Sequence, residues 1–141
     1  MRQFYAIEVF SERAKIYGIR NKKTKRIYIG RSKNVEERIR NHLYALRNGK
    51  HSNELMQKDF DAYGEKSFEF VEICDADKRT FMFFDTENRN KAVFSISEDN
   101  RWKECYWMQH FHTFDQKYGY NYKDTYSRCK RTFESFKKVT I

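Results

Sequence analysis

Lys15-Ile16-Tyr17-Gly18-Ile19-Arg20-Asn21-Lys22-Lys23-Thr24-Lys25-Arg26-Ile27-Tyr28-Ile29-Gly30 is the stretch from which the fold of this 141-residue chain is read. Ile16–Ile19 and Arg26–Ile29 are short runs of branched and aromatic residues, which suit a pleated, half-buried surface. Asn21-Lys22-Lys23-Thr24 lies between them and is polar throughout. The pattern predicts a hairpin closed by a loop of about four to six residues.

Working outward, Phe4–Phe10 is aromatic and branched and reads as a further strand. Downstream, Asn34-Val35-Glu36-Glu37 has the form of a capping box and opens a helix. Val35, Ile39, Leu43 and Leu46 recur at helical spacing, and Gly49 ends that run. Ser52 is placed to cap a second helix bearing Leu55, Met56, Phe60 and Tyr63, with Gly64 closing it. Ser67–Ile73 reads as a strand with apolar residues on both faces, so it is expected inside the sheet. Thr80–Phe84 and Lys91–Ile96 flank the polar segment 85–90 and read as a second hairpin. Asn100–Phe114 reads as a third helix, and Gly119-Tyr120-Asn121 ends the core. The expectation is an α+β domain with a small, mostly antiparallel three-stranded sheet and about three helices. An extra N-terminal strand (1–14) precedes the domain (15–122). An inserted β-hairpin lies near 79–99, and a basic tail (123–141) follows.

Composition bounds the rest. Aromatic residues make up 18% of the chain, enough for a real core, although 35% of residues are charged. No apolar run approaches the ~18–20 residues needed to span a bilayer. Met1–Glu12 lacks the apolar stretch of a signal peptide. No membrane partner is expected, and the location expected is the cytoplasm of a bacterial or phage-infected cell. Cys74, Cys105 and Cys129 are odd in number and show no CxxC spacing. Free thiols are expected, with neither a zinc site nor a disulfide.

The formal charge of +9 is unevenly spread. Residues 13–50 hold 13 Lys/Arg against Glu36 and Glu37, a block of +11. Residues 51–122 hold −5, and the tail from Lys123 adds +4. So concentrated a positive block suits a polyanion, with a merely solvated basic face as the alternative.

Within the third helix, Trp107, Met108 and Phe111 lie at i+3, i+4 and i+7 from Glu104. The carboxylate thus falls inside an apolar stripe. A carboxylate aimed at a core is costly unless it is paired or binds a metal. A buried ion pair with an arginine, or a stripe phased differently through Trp102, Cys105 and Tyr106, are the other readings. On the first helix, Arg38 and His42 are one turn apart. Alone, His42 reads as a core histidine and Arg38 as a surface cation. Together they could aim a cation and an imidazole at one site, and Arg suits phosphate oxygens.

With Tyr28-Ile29-Gly30-Arg31-Ser32-Lys33-Asn34 added to Ile16-Tyr17-Gly18-Ile19-Arg20-Asn21, the chain resembles the GIY-YIG nuclease family. Arg38 and His42 follow at the family's spacing, and His51-Ser52 matches the usual start of its next helix. Glu104-Cys105-Tyr106-Trp107-Met108 matches the glutamate motif, and Gly119-Tyr120-Asn121 the terminal one. The likeness covers roughly residues 15–122 and is nearest to catalytic domains of phage intron-homing endonucleases. Lys15 departs from the family's glycine, and the segment near 79–99 and the N-terminal strand are additions. That insertion could reshape a DNA groove, form a dimer contact or only lengthen the sheet.

The resemblance implies a metal-dependent DNA endonuclease that hydrolyses phosphodiester bonds. Glu104 would hold one divalent cation, Mg²⁺ by preference with Mn²⁺ as substitute, and no small-molecule cofactor is expected. Arg38 would stabilise the pentacoordinate transition state. Tyr17 would be the general base, although only ~0.1% of an ordinary tyrosine is phenolate at pH 7. Tyr28 and His42 would orient water and tyrosine or relay the proton, and Asn121 would support the site. Lys15, Arg31, Lys33, Arg40, His51 and Asn121 are expected at the DNA. The aromatic tail residues Tyr126, Phe133 and Phe136 could form a short helix on it. A homodimer is one route to double-strand cleavage. A restriction or structure-specific repair nuclease, a DNA-binding module without chemistry, and more weakly an RNA-binding module are the alternatives.

Overall fold

The computed structural model describes residues 3–88, 91–125 and 128–129. The elements are β1 (Phe4–Glu12), β2 (Lys15–Asn21), β3 (Ile27–Ser32), α1 (Val35–Arg47) and α2 (Glu54–Tyr63), then a 3-10 turn (Glu65–Ser67). They continue with β4 (Phe68–Asp75), β5 (Lys78–Asp85), β6 (Ala92–Asp99) and α3 (Trp102–His110). The tail residues Tyr126, Phe133 and Phe136 lie outside the described residues.

The fold is α+β, with two three-stranded antiparallel sheets ordered β3-β2-β4 and β1-β5-β6. The first hairpin forms as the sequence predicts, with Tyr17 opposite Gly30 and Ile19 opposite Tyr28. Strand β2 is the central strand, and Ile16, Tyr17 and Ile19 are all buried. Its alternation feeds two cores. Ile16 joins Ile27, Ile29, Cys105 and Met108 on the α3 side of the sheet. Tyr17 and Ile19 join Val35, Leu46, Met56, Phe68 and Tyr120 on the α1/α2 side. Helices therefore cover both faces of one small sheet, as a sheet with two apolar faces requires.

Strand β4 pairs only with β2 and lies at the sheet edge, not inside it as expected. Its apolar residues occupy both faces because the fold buries them only in part. The N-terminal strand and the inserted hairpin do not extend the first sheet. They combine as β1-β5-β6. The pairing of β2 with β4 passes straight into that of β1 with β5, from Lys15↔Asp75 to Glu12↔Lys78. One two-stranded ribbon thus runs through both sheets. At its waist the Ala14 backbone N–H donates to Asp77 Oδ1 (2.9 Å), and the Ala76 N–H donates to the Ala14 carbonyl (2.8 Å).

Asn34 caps α1 as expected, its side chain accepting from the Glu37 N–H. Helix α2 is capped by Asn53 rather than Ser52, with Asn53 Oδ1 accepting from the Met56 N–H at 3.0 Å. Helix α3 is shorter than the 100–114 run, because the chain turns at Phe111 and His112 takes φ of 55°. Cys105 and Cys129 form a disulfide, which corrects the expectation of three free thiols. The described tail residue Cys129 returns to α3, a contact that a separation of 24 residues hides in sequence.

The terminal Gly119-Tyr120-Asn121 lies along the free edge of β3. Tyr120 N–H donates to the Ile27 carbonyl, and Asn121 receives the Ile29 N–H and returns a bond to its carbonyl, both at 3.0 Å. A Cβ on Gly119 would collide with the Thr113 backbone, so only glycine fits that crossing. The Tyr120 hydroxyl donates to Asp59 Oδ2 at 2.7 Å, and both groups are buried. Tyr120→Phe removes this bond to a charged acceptor while Arg26 still pairs with Asp59. The expected loss is about 1–2 kcal/mol, read as a lower urea midpoint. An unchanged midpoint would show that the bond adds no stability.

Candidate active site

The hairpin brings Tyr17 and Tyr28 to the α1 side of the sheet, their ring centroids 6.3 Å apart. Gly30 makes this arrangement. It sits opposite Tyr17, and a Cβ there would stand 2.5 Å from Tyr17 Cζ and Oη. The missing side chain is the space that the phenol fills. Helix α1 presents His42 to this pair. Tyr17 Oη and His42 Nε2 are 2.9 Å apart, and His42 Nδ1 is 2.8 Å from His51 Nε2. Arg38, one turn before His42, is exposed, and its charge acts on Tyr17, Tyr28 and His42 together.

Burial sets the ionisation of the cluster. It pushes the Tyr17 phenol well above its ordinary range, and Arg38 pulls only partly against it. Tyr28 is raised for the same reason. Burial, then the His51 and Arg38 charges, bring His42 down to about 4, so it is neutral near pH 7.

Glu104 reaches the same region from α3, and its charge raises both phenols. Its side chain is 20% exposed. The buried stripe of α3 runs through Cys105 and Met108, so Glu104 lies on its border rather than at its centre. Phe111 stands beyond the helix and is exposed. The stripe is thus phased one residue from the expectation, because the disulfide side of α3 faces the core. Burial raises the Glu104 carboxyl, and the Arg128 and Arg31 charges pull it back. Arg128 Nη2 lies 3.2 Å from Glu104 Oε1. The ion pair with an arginine that the sequence left open is thus made, with Arg128 as the partner.

The structure therefore gathers Tyr17, Tyr28, Arg38, His42 and Glu104 in one neighbourhood. The expected DNA-contact residues divide. Lys33 and Arg40 are 72% and 67% exposed and are held loosely to Glu12 and Glu36. Lys15 pairs with Glu72 at 3.3 Å, also exposed. Arg31 is mostly buried. It bonds Glu12 at 2.6 Å and donates to the Ala76 carbonyl, which makes it a brace between β3 and the ribbon. His51 has both ring nitrogens engaged within the protein, by His42 and by the Asn53 N–H. Asn121 spends its amide on β3. Asn53 was missed by sequence reasoning, although an Asn two residues after His51 was a readable cap.

A comparison with protein families matches residues 13–89 to the GIY-YIG catalytic domain, more than half of the chain. The chain belongs to the GIY-YIG family. It is an endonuclease of that type. Among solved structures it is similar to the catalytic domain of the homing endonuclease I-TevI, with 20% identity and a TM-score of 0.55. That match covers 77% of this chain and 99% of the other. A point mutant of the catalytic domain of the intron endonuclease I-TevI gives 22% identity and a TM-score of 0.52, covering 77% and 92%. No curated protein matches. The family match contains Tyr17, Tyr28, Arg38, His42 and His51 and stops short of Glu104, which the fold brings in from α3.

Two outcomes follow from this GIY-YIG geometry. Gly30→Ala should displace the Tyr17 ring, costing about 1–3 kcal/mol and abolishing DNA nicking. Full nicking activity in that variant would show that Tyr17 need not lie there. The second concerns pH. The folded-state value of about 4 for His42 lies below the ~6.5 of an unfolded histidine. Between those values the unfolded chain binds more protons, so stability falls as pH drops from about 6.5 toward 4. His51 is lowered too and acts in the same direction. His42→Gln should flatten the urea midpoint against pH across that window, and an unchanged slope would assign the effect elsewhere.

Proposed function

We propose that this chain hydrolyses DNA phosphodiester bonds in the manner of a homing endonuclease, with one divalent cation held at Glu104. The convergence of Tyr17, His42, Arg38 and Glu104 carries the reading, because Arg38 and Glu104 act on the same two phenols from opposite signs. Similarity to the homing endonuclease I-TevI supports the homing role.

The residues fit a cation of the Mg²⁺ kind, with Mn²⁺ as substitute. Glu104 is a largely buried carboxylate already partnered by the cationic Arg128. Among the described residues no group of three or more His, Cys, Asp or Glu could hold a metal. A single protein carboxylate suits an ion that keeps several waters and shares phosphate oxygens. When bound, such an ion supplies charge to the phosphate and to the departing 3′ oxygen.

The remaining steps belong to the side chains. Tyr17 gives its own proton to solvent water and then takes the proton of the attacking water. The buried phenol resists that loss, and Arg38 lowers the cost. Arg38 also faces the phosphate, because it is exposed and can donate two parallel bonds to its oxygens. Tyr28 helps to orient the water, and His42 holds Tyr17. Lys33, Arg40 and Lys15 supply positive charge at the DNA backbone, and their exposed ion pairs are weak enough to open. Cleavage of both strands would use a second copy of the chain. A cytoplasmic location suits this substrate.

The test is incubation with supercoiled, linear and branched DNA, with and without Mg²⁺, followed by mapping of the cut sites. A defined cut site is expected, with cutting dependent on Mg²⁺. Glu104→Ala should reduce cutting to background while the fold survives, and Arg38→Ala should slow it by about 100-fold or more. Cutting confined to branched DNA would replace the homing role with repair. Salt-sensitive binding without cutting under any divalent ion would leave a binding module.

A further inference from the structure

The two histidines and the central tyrosine form a chain of hydrogen bonds whose direction is set at one end. The Asn53 backbone N–H lies 2.9 Å from His51 Nδ1. A backbone amide can only donate, so His51 Nδ1 bears a lone pair and the His51 proton is on Nε2. That Nε2 is 2.8 Å from His42 Nδ1. It donates there, and His42 Nδ1 is therefore the acceptor. Neutral His42 then carries its proton on Nε2, which is 2.9 Å from the Tyr17 oxygen.

We propose that His51 is a positioning residue that fixes the tautomer of His42, so that the paired imidazoles present a hydrogen-bond donor to the Tyr17 oxygen. The consequence is directional. His42 is not the acceptor of the Tyr17 proton. It donates to the oxygen on which negative charge gathers when that proton passes to solvent water. A donor already in place on a buried oxygen stabilises developing charge without reorganisation. The Tyr17 hydroxyl hydrogen is left to point away from α1.

Several features hold the chain in place. Asn53 is the cap of α2, and its side chain also donates to the Tyr120 carbonyl at 2.6 Å, so both polar atoms of that side chain are held. The two imidazole rings lie nearly in one plane, with centroids 5.1 Å apart and planes 20° apart, as an N–H···N bond between ring edges requires. The His51 backbone N–H is held by Gln57 Oε1 at 3.0 Å. The catalytic consequence rests on the nuclease reading above, whereas the tautomer does not.

Three substitutions at His51 separate polarity from packing. His51→Gln keeps it, since an amide oxygen can accept from Asn53 and its NH₂ can donate to His42. His51→Glu reverses it, because a carboxylate only accepts and would draw the His42 proton to Nδ1. His51→Leu removes it. Ring-nitrogen NMR of the metal-free protein reads the tautomer directly. His42 should carry its proton on Nε2 in the unaltered protein and in His51→Gln, and on Nδ1 in His51→Glu. In DNA nicking, His51→Gln should stay within about 10-fold of the unaltered protein. His51→Glu and His51→Leu should lose about 100-fold in kcat with little change in KM. A proton on His42 Nδ1 in the unaltered protein overturns the proposal. So does a His51→Glu variant as active as His51→Gln, which would make His42 a base. If the unaltered protein cuts no DNA, the nuclease reading fails and the NMR result still decides the tautomer.

Discussion

The contact on which the rest of this structure depends is the Tyr17 ring lying over Gly30. It needs three things at once. A central strand must bury the phenol, a glycine must stand opposite it, and a helix must bring an imidazole to its hydroxyl. The hairpin register meets the first two, since Tyr17 faces Gly30 across the β2–β3 pair. Helix α1 meets the third, because its capped start at Asn34 sets the turn on which His42 points at Tyr17. Burial then makes the phenol hard to ionise, so the surrounding charges matter far more than they would in water.

The basic block of the sequence turns out to be largely paired. Arg20, Arg26, Arg31 and Arg47 each have a carboxylate partner, as do the more exposed Lys15, Lys33 and Arg40. Exposed pairs contribute little to stability and can open toward a polyanion. The partly buried ones cannot without cost. Arg31 and Arg26 are therefore braces of the fold, and Lys33 and Arg40 are free enough to meet phosphate. A net charge of +11 on the segment overstated the surface offered to DNA.

The second sheet shows how an insertion joins a small domain without disturbing its site. The β2/β4 ribbon continues beyond Ala14 and Ala76 as β1/β5, and β6 folds back on it. Backbone pairing runs along the ribbon with one irregularity on each side, at Glu8/Phe10 and at Ile16/Tyr17, and the Asp77 carboxylate staples the waist. The core around Tyr17 lies on the other side of that waist, with Ala14 and Ala76 both buried there.

Local residue order was enough for the hairpin, the Asn34 cap and the Arg38/His42 turn, because each is decided by neighbours within a few positions. The candidate cluster came instead from the family resemblance, whose motifs carry Tyr17, Tyr28, Arg38, His42 and Glu104. Local order did not reach what depends on distant chain segments. The edge position of β4, the union of β1 with β5 and β6, and the Cys105–Cys129 bond are pairings across many residues, which periodicity does not encode. His51 is the sharpest case. The family resemblance placed it at DNA, whereas the amide of Asn53 and the ring of His42 take both its nitrogens. The sequence alone determined which groups could ionise and bond. Only the tertiary structure decided which way the bonds run, because a hydrogen bond's direction depends on what lies at the far end of the chain of donors.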